Sequence, residues 1–164
     1  MTSAPAVALI CGSRSDLPAL QGCIEQLDAY QIGWEASVIS AHRQPEALRA
    51  YVAEAEAAGT RIFIAAAGLA AHLPGVVASL TQLPVIGIPL DAGGLGGQDA
   101  LLAIVQMPPG VPVATVAVGG ARNAAHLAAR ILALGDAAVA ERVAAFRREQ
   151  AGRAELRIQP RVER

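Results

Sequence analysis

The sequence predicts an α/β fold in which a parallel sheet of five strands is covered by helices on both faces, and three observations support it. Short apolar runs alternate with segments whose apolar residues recur every three or four positions, as in repeated βαβ units. The apolar runs are almost uninterrupted, which is typical of parallel strands buried on both faces. Apolar residues make up 54% of the chain and aromatic residues 3%, so we expect a core of Ala, Val, Leu and Ile.

The first predicted strand covers residues 6–11, an apolar run that ends at a glycine. A helix is predicted over residues 16–30, because apolar residues recur there at helical spacing. Ser15 or Asp16 is its expected cap, since both residue types favour the position before a helix.

Two further strand and helix pairs follow. The second strand is predicted at residues 34–39 and its helix at residues 45–58, a segment rich in Ala and Glu. Gly59 is the expected C-terminal cap of that helix. The third strand is predicted at residues 61–66 and a short helix at residues 75–80.

The second half of the chain continues the alternation. The fourth strand is predicted at residues 84–88, and a glycine-rich loop follows at residues 89–98. Asp99 is expected to cap a helix over residues 99–105, and the fifth strand is predicted at residues 113–118.

The chain ends in two predicted helices, at residues 123–134 and 137–152. The charged tail that follows, residues 153–164, is expected to be loose. The length fits a single domain over residues 1–164, with its core in residues 6–152.

Charge and residue content exclude several classes of function. The net charge is −1, so the chain lacks the basic field of a general nucleic-acid-binding protein. All 13 basic residues are arginines, which excludes a Schiff-base lysine and a Walker-type phosphate lysine within this chain. The sequence shows neither a signal peptide nor an apolar run long enough to span a membrane, so we expect a cytoplasmic protein without a membrane partner.

Metal-binding patterns are also missing from the sequence. Cys11 and Cys23 do not have the spacing of a zinc site, and we expect them to be reduced thiols. The acidic residues are scattered along predicted helices, so no metal site is predicted.

Parallel βαβ units indicate where a functional site is expected. Loops that lead from a strand into a helix emerge at the carboxyl edge of the sheet, and ligands bind where the strand order reverses. In a flavodoxin-like three-layer α/β/α sandwich with strand order 2-1-3-4-5, the first strand lies between the second and the third. The loops at residues 12–16, 40–43 and 67–75 should therefore meet.

The loop at residues 12–16, GSRSD, joins a strand to a helix N-terminus, where free backbone N–H groups attract a phosphate. The hydroxyls of Ser13 and Ser15 can add donors, and Asp16 can accept hydrogen bonds from a ribose diol. The alternative is an ordinary capping loop, because Ser and Asp favour this position without any ligand. The spacing alone leaves both interpretations open.

The loop at residues 40–43, SAHR, places two chemically distinct groups side by side. His42 carries an imidazole, the side chain best suited to acid/base catalysis near neutral pH. Arg43 carries a planar cation suited to phosphate or carboxylate. The alternative is a histidine bonded to backbone at a helix start, next to a surface arginine.

The loop at residues 67–75 is built from small residues, which let the backbone approach a ligand closely. His72 adds a second imidazole, which we expect to lie at a helix start without a proton role while remaining a candidate contact. His126 lies in a helical pattern and is interpreted as structural. The glycine-rich segment at residues 91–99 is either a lid or a surface connection.

Four strings in this order carry a specific resemblance: GSRSD at 12–16, SAHR at 40–43, AHLPG at 71–75 and VQMPPGVPVATVAVG at 105–119. Over about residues 7–134 the chain resembles the N5-carboxyaminoimidazole ribonucleotide mutase family, the small catalytic subunits of phosphoribosylaminoimidazole carboxylase in purine biosynthesis. The resemblance implies a flavodoxin-like fold, a homo-octamer in which the final helix packs on a neighbour, and a reaction without metal or organic cofactor.

By the same resemblance, His42 is the acid/base residue that helps to move a carboxylate from the exocyclic nitrogen of an aminoimidazole ribonucleotide to a ring carbon. Ser13 and Arg43 match positions near the phosphate, and Asp16 matches a position near the ribose. The other matched pocket positions are Ser15, Ser40, Gly68, Ala70 and His72. An ATP-dependent N5-carboxyaminoimidazole ribonucleotide synthetase is the implied functional partner.

Two positions depart from the family pattern. Leu69 stands where the family usually has glycine, and Asp91-Ala92 stands where it often has a Gln-Ser or Gln-Thr pair. A leucine at this position is expected to narrow the site or alter the loop. Direct carboxylation of aminoimidazole ribonucleotide with CO₂ therefore stays open. Nucleotide binding without catalysis also stays open, because a fold and a phosphate loop alone indicate only binding.

Overall fold

The computed structural model describes residues 5–153, and within them a parallel sheet has the strand order β2-β1-β3-β4-β5. The strands are β1 (Val7–Cys11), β2 (Trp34–Val38), β3 (Ile62–Gly68), β4 (Val85–Leu90) and β5 (Ala114–Thr115). The helices are α1 (Gln21–Ala29), α2 (Pro45–Ala58), α3 (Leu73–Leu80), α4 (Gln98–Val105), α5 (Ala121–Leu132) and α6 (Ala137–Arg153). The predicted flavodoxin-like order and the C-terminal helix are confirmed.

Side chains of β1 alternate between two buried clusters, and this alternation produces the three layers. Val7, Leu9 and Cys11 pack in a cluster with residues of α1, α5 and α6. Ala8 and Ile10 pack in the opposite cluster with residues of α2, α3 and α4. Because every residue of β1 is buried, this strand reads as an unbroken apolar run.

The register of the sheet brings three strand ends to one level. Cys11, the last residue of β1, is paired with Val38 of β2 and with Ala66 of β3. The loops that follow these three strands therefore begin close together at the carboxyl edge, as the sequence predicts.

The predicted helix at residues 16–30 is wrong at its start. A 3-10 segment, Arg14–Leu20, precedes α1, because Pro18 has no N–H group for an α-helical bond to residue 14. The cap is Ser13 rather than Ser15 or Asp16, since the Ser13 side chain accepts a hydrogen bond from the Ser15 backbone N–H.

The predicted cap of α4 is also wrong. Gly97 occupies the capping position with a left-handed φ of +77°, and Asp99 lies in the first turn without capping it. A Cβ on Gly97 would lie 2.5 Å from Cγ1 of Val118, so the local packing as well as the backbone requires glycine. By contrast, the predicted cap of α2 is confirmed, because Gly59 has a φ of +106° there.

The fifth strand is shorter than residues 113–118, the predicted range. Regular pairing is confined to two residues, and beyond them the segment follows β4 through separate backbone bonds. Val116 N–H donates to the carbonyl of Gly87, and Gly119 N–H donates to the carbonyl of Pro89.

The remaining elements differ from the predictions mainly at their ends. α3 begins at Leu73, two residues earlier than predicted, because Pro74 fits the first turn of a helix. Of the predicted loose tail only Arg153 is described, as the last residue of α6, and residues 154–164 lie outside the described part. No helix in residues 5–153 is long and apolar enough to cross a membrane.

Candidate active site

The three loops predicted to meet line one small cavity of about 100 Å³ at the carboxyl edge of the sheet. Its lining comes from the ends of β1, β2 and β3 and from the start of α3. The residues are Gly12, Asp16, Ser40, Ala41, His42, Ala67, Gly68, Ala70, His72 and Leu73. A cavity this size accommodates a few non-hydrogen atoms rather than a whole nucleotide, because ligand pockets usually exceed about 300 Å³.

Two imidazoles meet at this cavity. Nε2 of His42 lies 2.7 Å from Nδ1 of His72, and the two ring planes are inclined by 83°. One of these nitrogens must carry the proton of the hydrogen bond, so the tautomer of each ring depends on the other. The expectation that His72 lies at a helix start is confirmed, and its contact with His42 is a feature that the sequence did not predict.

The serines of the first loop bind one another. Ser15 Oγ lies 2.8 Å from Ser13 Oγ and 3.4 Å from Asp16 Oδ1, so the Ser15 hydroxyl has two acceptors within reach. The Cys11 thiol donates to the carbonyl of Ser13 at 3.3 Å. Burial raises the pKa of the Cys11 thiol, and the charge of Asp16 raises it further. Cys11 is therefore a protonated, structural donor beneath the loop.

The loop after β2 is held by its own serine. Ser40 Oγ accepts a hydrogen bond from the Arg43 backbone N–H at 3.3 Å. Ser40 N–H in turn donates to the side-chain oxygen of Gln44 at 3.5 Å. These bonds place His42 at the cavity, whereas the Arg43 side chain is exposed at the start of α2 and does not line the cavity.

The loop after β3 supplies the backbone wall of the cavity. Gly68 and Ala70 line it, and Leu69 between them has a left-handed φ of +55°. A Cβ on Gly68 would lie 2.6 Å from Cβ of Ala92, so the loop after β4 packs directly on this glycine. At Gly68 the missing side chain accommodates Ala92, and the predicted close approach of this backbone to a ligand stays a prediction.

The structure brings together most of the residues predicted for the site. Six of them line the cavity: Asp16, Ser40, His42, Gly68, Ala70 and His72. Three lie in the same loops but outside the lining: Ser13, Ser15 and Arg43. The other lining residues were not selected individually from the sequence, although they lie within the three selected loops: Gly12, Ala41, Ala67 and Leu73.

The third histidine, His126, lies away from the cavity, and its contacts support the interpretation that it is structural. His126 Nδ1 lies 2.7 Å from the Tyr30 hydroxyl, and its ring packs against Phe146. Burial lowers the pKa of His126, and the charges of Arg130 and Arg122 lower it further. It borders a groove of about 1150 Å³ between α1, α5 and α6, which is larger than the cavity but lacks the three loops.

No cluster of three or more histidine, cysteine, aspartate or glutamate side chains within residues 5–153 is arranged to hold a metal ion. Both cysteines are buried free thiols, and burial raises the pKa of Cys23 to about 12.

Comparison with known proteins gives a consistent family. The family model described as AIR carboxylase matches residues 6–153. An N5-carboxyaminoimidazole ribonucleotide mutase of Saccharolobus solfataricus is 54% identical over 142 residues, which are 87% of this chain and 90% of the relative. The protein of the same name from Pyrococcus abyssi is 49% identical over 145 residues, which are 88% of this chain and 83% of the relative.

A solved structure has the same fold. The crystal structure of Treponema denticola PurE superimposes with a TM-score of 0.83 at 28% identity, and the match covers 90% of this chain and 92% of that chain.

Proposed function

The chain belongs to the AIR carboxylase family, and from this we propose that it is an N5-carboxyaminoimidazole ribonucleotide mutase of purine biosynthesis. The reaction converts N5-carboxyaminoimidazole ribonucleotide into 4-carboxy-5-aminoimidazole ribonucleotide, an isomerisation. One structural observation carries the proposal: His42 lies in a cavity formed by the three loops at the carboxyl edge, where an α/β sheet holds its ligands.

A single imidazole can carry both proton transfers. Protonated His42 donates to the exocyclic nitrogen of the substrate, the C–N bond breaks, and CO₂ is released into the cavity. The neighbouring ring carbon then attacks CO₂ and forms the new C–C bond. Neutral His42 removes the proton from that carbon and returns to its starting form.

His72 supports this role as a partner of His42. Nε2 of His42 is hydrogen-bonded to Nδ1 of His72. While this hydrogen bond is present, Nδ1 of His42 is the nitrogen that exchanges the proton with the substrate. We therefore propose that His72 orients the imidazole ring of His42, in addition to any contact it makes with the carboxylate of the substrate.

The rest of the substrate is proposed to follow the loops outward from the cavity. Asp16 binds the ribose, while Ser13, Ser15 and Arg43 bind the phosphate beside the first turn that follows β1. Two features support this division. The cavity is too small for a whole nucleotide, and these three residues belong to the same loops but lie outside its lining. Ser40, Gly68 and Ala70 complete the wall around the reacting groups.

The confined space supports a mechanism in which CO₂ is held between the two bond-changing steps. A caged molecule reacts at an effective concentration far above that in solution, because its translational freedom is already lost. No metal or organic cofactor takes part in the proposed reaction. We further propose a cytoplasmic homo-octamer in which α6 packs on a neighbouring subunit, and a functional link to an ATP-dependent synthetase that makes the carbamate substrate.

The decisive experiment measures turnover of the purified protein by ultraviolet absorbance with two substrate mixtures. We expect fast conversion of N5-carboxyaminoimidazole ribonucleotide and negligible conversion of aminoimidazole ribonucleotide with bicarbonate. Conversion of the second mixture alone would identify a direct carboxylase. Absence of conversion in both would leave a nucleotide-binding module.

The variant His42→Asn tests the catalytic assignment. We expect turnover to fall by roughly 10²- to 10⁴-fold, the contribution typical of a general acid or base. Nucleotide affinity, measured by calorimetry, should change little, because His42 is assigned to proton transfer and not to phosphate binding. His126→Asn is the matched control, since it removes an imidazole outside the cavity and should leave turnover near the wild-type rate.

A further inference from the structure

Leu69 adopts a backbone conformation that a leucine rarely occupies. Its φ is +55°, a region that glycine enters freely and that crowds any residue with a Cβ. Among the described residues only one other non-glycine residue, Gln31, has a positive φ, in the turn after α1. A leucine in such a position needs a compensating contact of its side chain.

That contact is with the glycine-rich loop after β4. Cδ2 of Leu69 lies so close to Gly93 that a Cβ on this glycine would be 2.8 Å away. A second contact between the same two loops lies next to it, where Ala92 occupies the space that a Cβ on Gly68 would need. In each contact, a glycine of one loop leaves room for a side chain of the other loop. Leu69 and Ala92, two of the residues at which the chain departs from the family pattern, both take part in this apolar contact.

The contact borders the cavity. Gly68 and Ala70, on either side of Leu69, both line it, whereas the Leu69 side chain is 56% exposed and lies outside the lining. The loop after β4 is also fixed at its far end, where Gly97 packs on Val118. Between these anchors Gly94 and Gly96 have open space around them, and Leu95 is 65% exposed.

We propose that Leu69 is a positioning residue that holds the loop at residues 91–97 beside the cavity mouth and thereby retains CO₂ between its release and its recapture. This inference rests on the proposed mutase function and deepens it. When CO₂ is retained, the C–N bond is replaced by a C–C bond within one molecule. When CO₂ escapes, the products are aminoimidazole ribonucleotide and free CO₂, and His42 regains its proton from water.

Isotope exchange measures this retention directly. The unlabelled carbamate substrate is converted in buffer that contains ¹³C-bicarbonate and carbonic anhydrase, and mass spectrometry gives the labelled fraction of the product and the amount of aminoimidazole ribonucleotide released. A sample without enzyme corrects for spontaneous decarboxylation. We expect little label with the wild-type protein and a several-fold rise in both label and released amine with Leu69→Gly.

Two further variants distinguish an effect on CO₂ retention from an effect on folding. Leu69→Met restores a long apolar side chain and should return the labelled fraction close to that of wild type. Gln31→Gly relieves the same kind of backbone strain far from the cavity and should leave the label unchanged. Leu69→Gly should also melt no lower than wild type, because glycine suits a positive φ.

The outcomes distinguish this inference from the proposed function. Equal labelling in active wild-type protein and Leu69→Gly overturns the retention role of Leu69 alone. Full isotopic equilibration by the wild-type protein shows that no retention exists and also overturns it. Absence of turnover by the wild-type protein with the carbamate overturns the mutase proposal and this inference together.

Discussion

His42 and His72 illustrate how much of the site is decided by single side chains. The two rings share one hydrogen bond of 2.7 Å, and both residues are exposed at the cavity. Their separation of 30 positions in the chain is bridged only because β2 and β3 both pair with β1. The orientation of the His42 ring therefore depends on a residue at the start of α3, and any proton transfer proposed for His42 depends on it as well.

Arg43 provides a separate test of substrate binding at the residue scale. Arg43→Ala should weaken binding of phosphate-bearing ligands by about 1.5–3 kcal/mol, the scale of a hydrogen bond to a charged group. In titration calorimetry this corresponds to a rise of roughly 10- to 160-fold in Kd. Arg49→Ala, which removes an exposed arginine from the body of α2, should have little effect. Equal affinities for wild type and Arg43→Ala would remove Arg43 from the proposed phosphate site.

The local sequence was sufficient to predict some site residues and insufficient for others. His42 and Ser40 follow an apolar run and precede a helical pattern, so their place at the carboxyl edge follows from topology. The bond between His42 and His72 depends on strand register and side-chain rotamers, which no local pattern determines. The same holds for the contact of Leu69 with Gly93, because these residues lie in loops that follow different strands.

At the scale of elements, glycine decides how closely a helix approaches the sheet. A Cβ on Gly87, in the middle of β4, would lie 2.4 Å from Cγ2 of Ile104 and 2.9 Å from Cγ1 of Val113. Helix α4 can therefore pack on β4 only because this position has no side chain. In α1, by contrast, a Cβ on Gly22 would make ordinary contacts at 3.9 Å with Arg122.

These two glycines give a matched pair of substitutions with opposite expected signs. Gly87→Ala should lower the free energy of unfolding by about 1–3 kcal/mol, because the added methyl group overpacks the interface between α4 and β4. Gly22→Ala should raise it by about 0.4–1 kcal/mol, because alanine restricts the unfolded chain and suits a helix. Urea denaturation measures both. A destabilising Gly22→Ala or a neutral Gly87→Ala contradicts this account of the packing.

Element type was predictable because the periodicities of buried strands and amphipathic helices differ. Element ends were less predictable where tertiary contacts decide them. The cap of α4 is Gly97 because Val118 excludes any side chain there, and Asp99 offered the stronger local signal. Pro18 shows the opposite case, since its effect on the start of α1 is local and could have been inferred.

At the scale of the whole molecule, the C-terminal helix joins the face opposite the α2, α3 and α4 layer. Arg142 of α6 donates from Nε to the carbonyl of Tyr30 at 2.6 Å, and Phe146 packs on both Tyr30 and His126. These contacts connect the end of α1, the middle of α5 and α6. His126 is thus the titratable group at the centre of this junction.

The lowered pKa of His126 predicts a pH dependence of stability. Unfolding returns its pKa to about 6.5, so the unfolded state binds the proton more tightly. The folded state is therefore most stable, with respect to this group, above about pH 6.5, where His126 is neutral in both states. This stability is lost as the pH falls from about 6.5 through the lower pKa that His126 has in the folded state. His126→Asn should therefore show a shallower fall in melting temperature between pH 7 and pH 5 than wild type. Parallel pH profiles of the two proteins would rule out this role for His126.

The strand order also has a consequence for synthesis of the chain. The central strand of the site, β1, is made first, yet both of its partners, β2 and β3, are made later. A nascent chain therefore carries a wholly apolar strand with both edges open until β2 has left the ribosome, and one of these edges stays open until about residue 68 has emerged. The segment that leads into the loop at residues 12–16 is consequently in need of protection from aggregation early in translation.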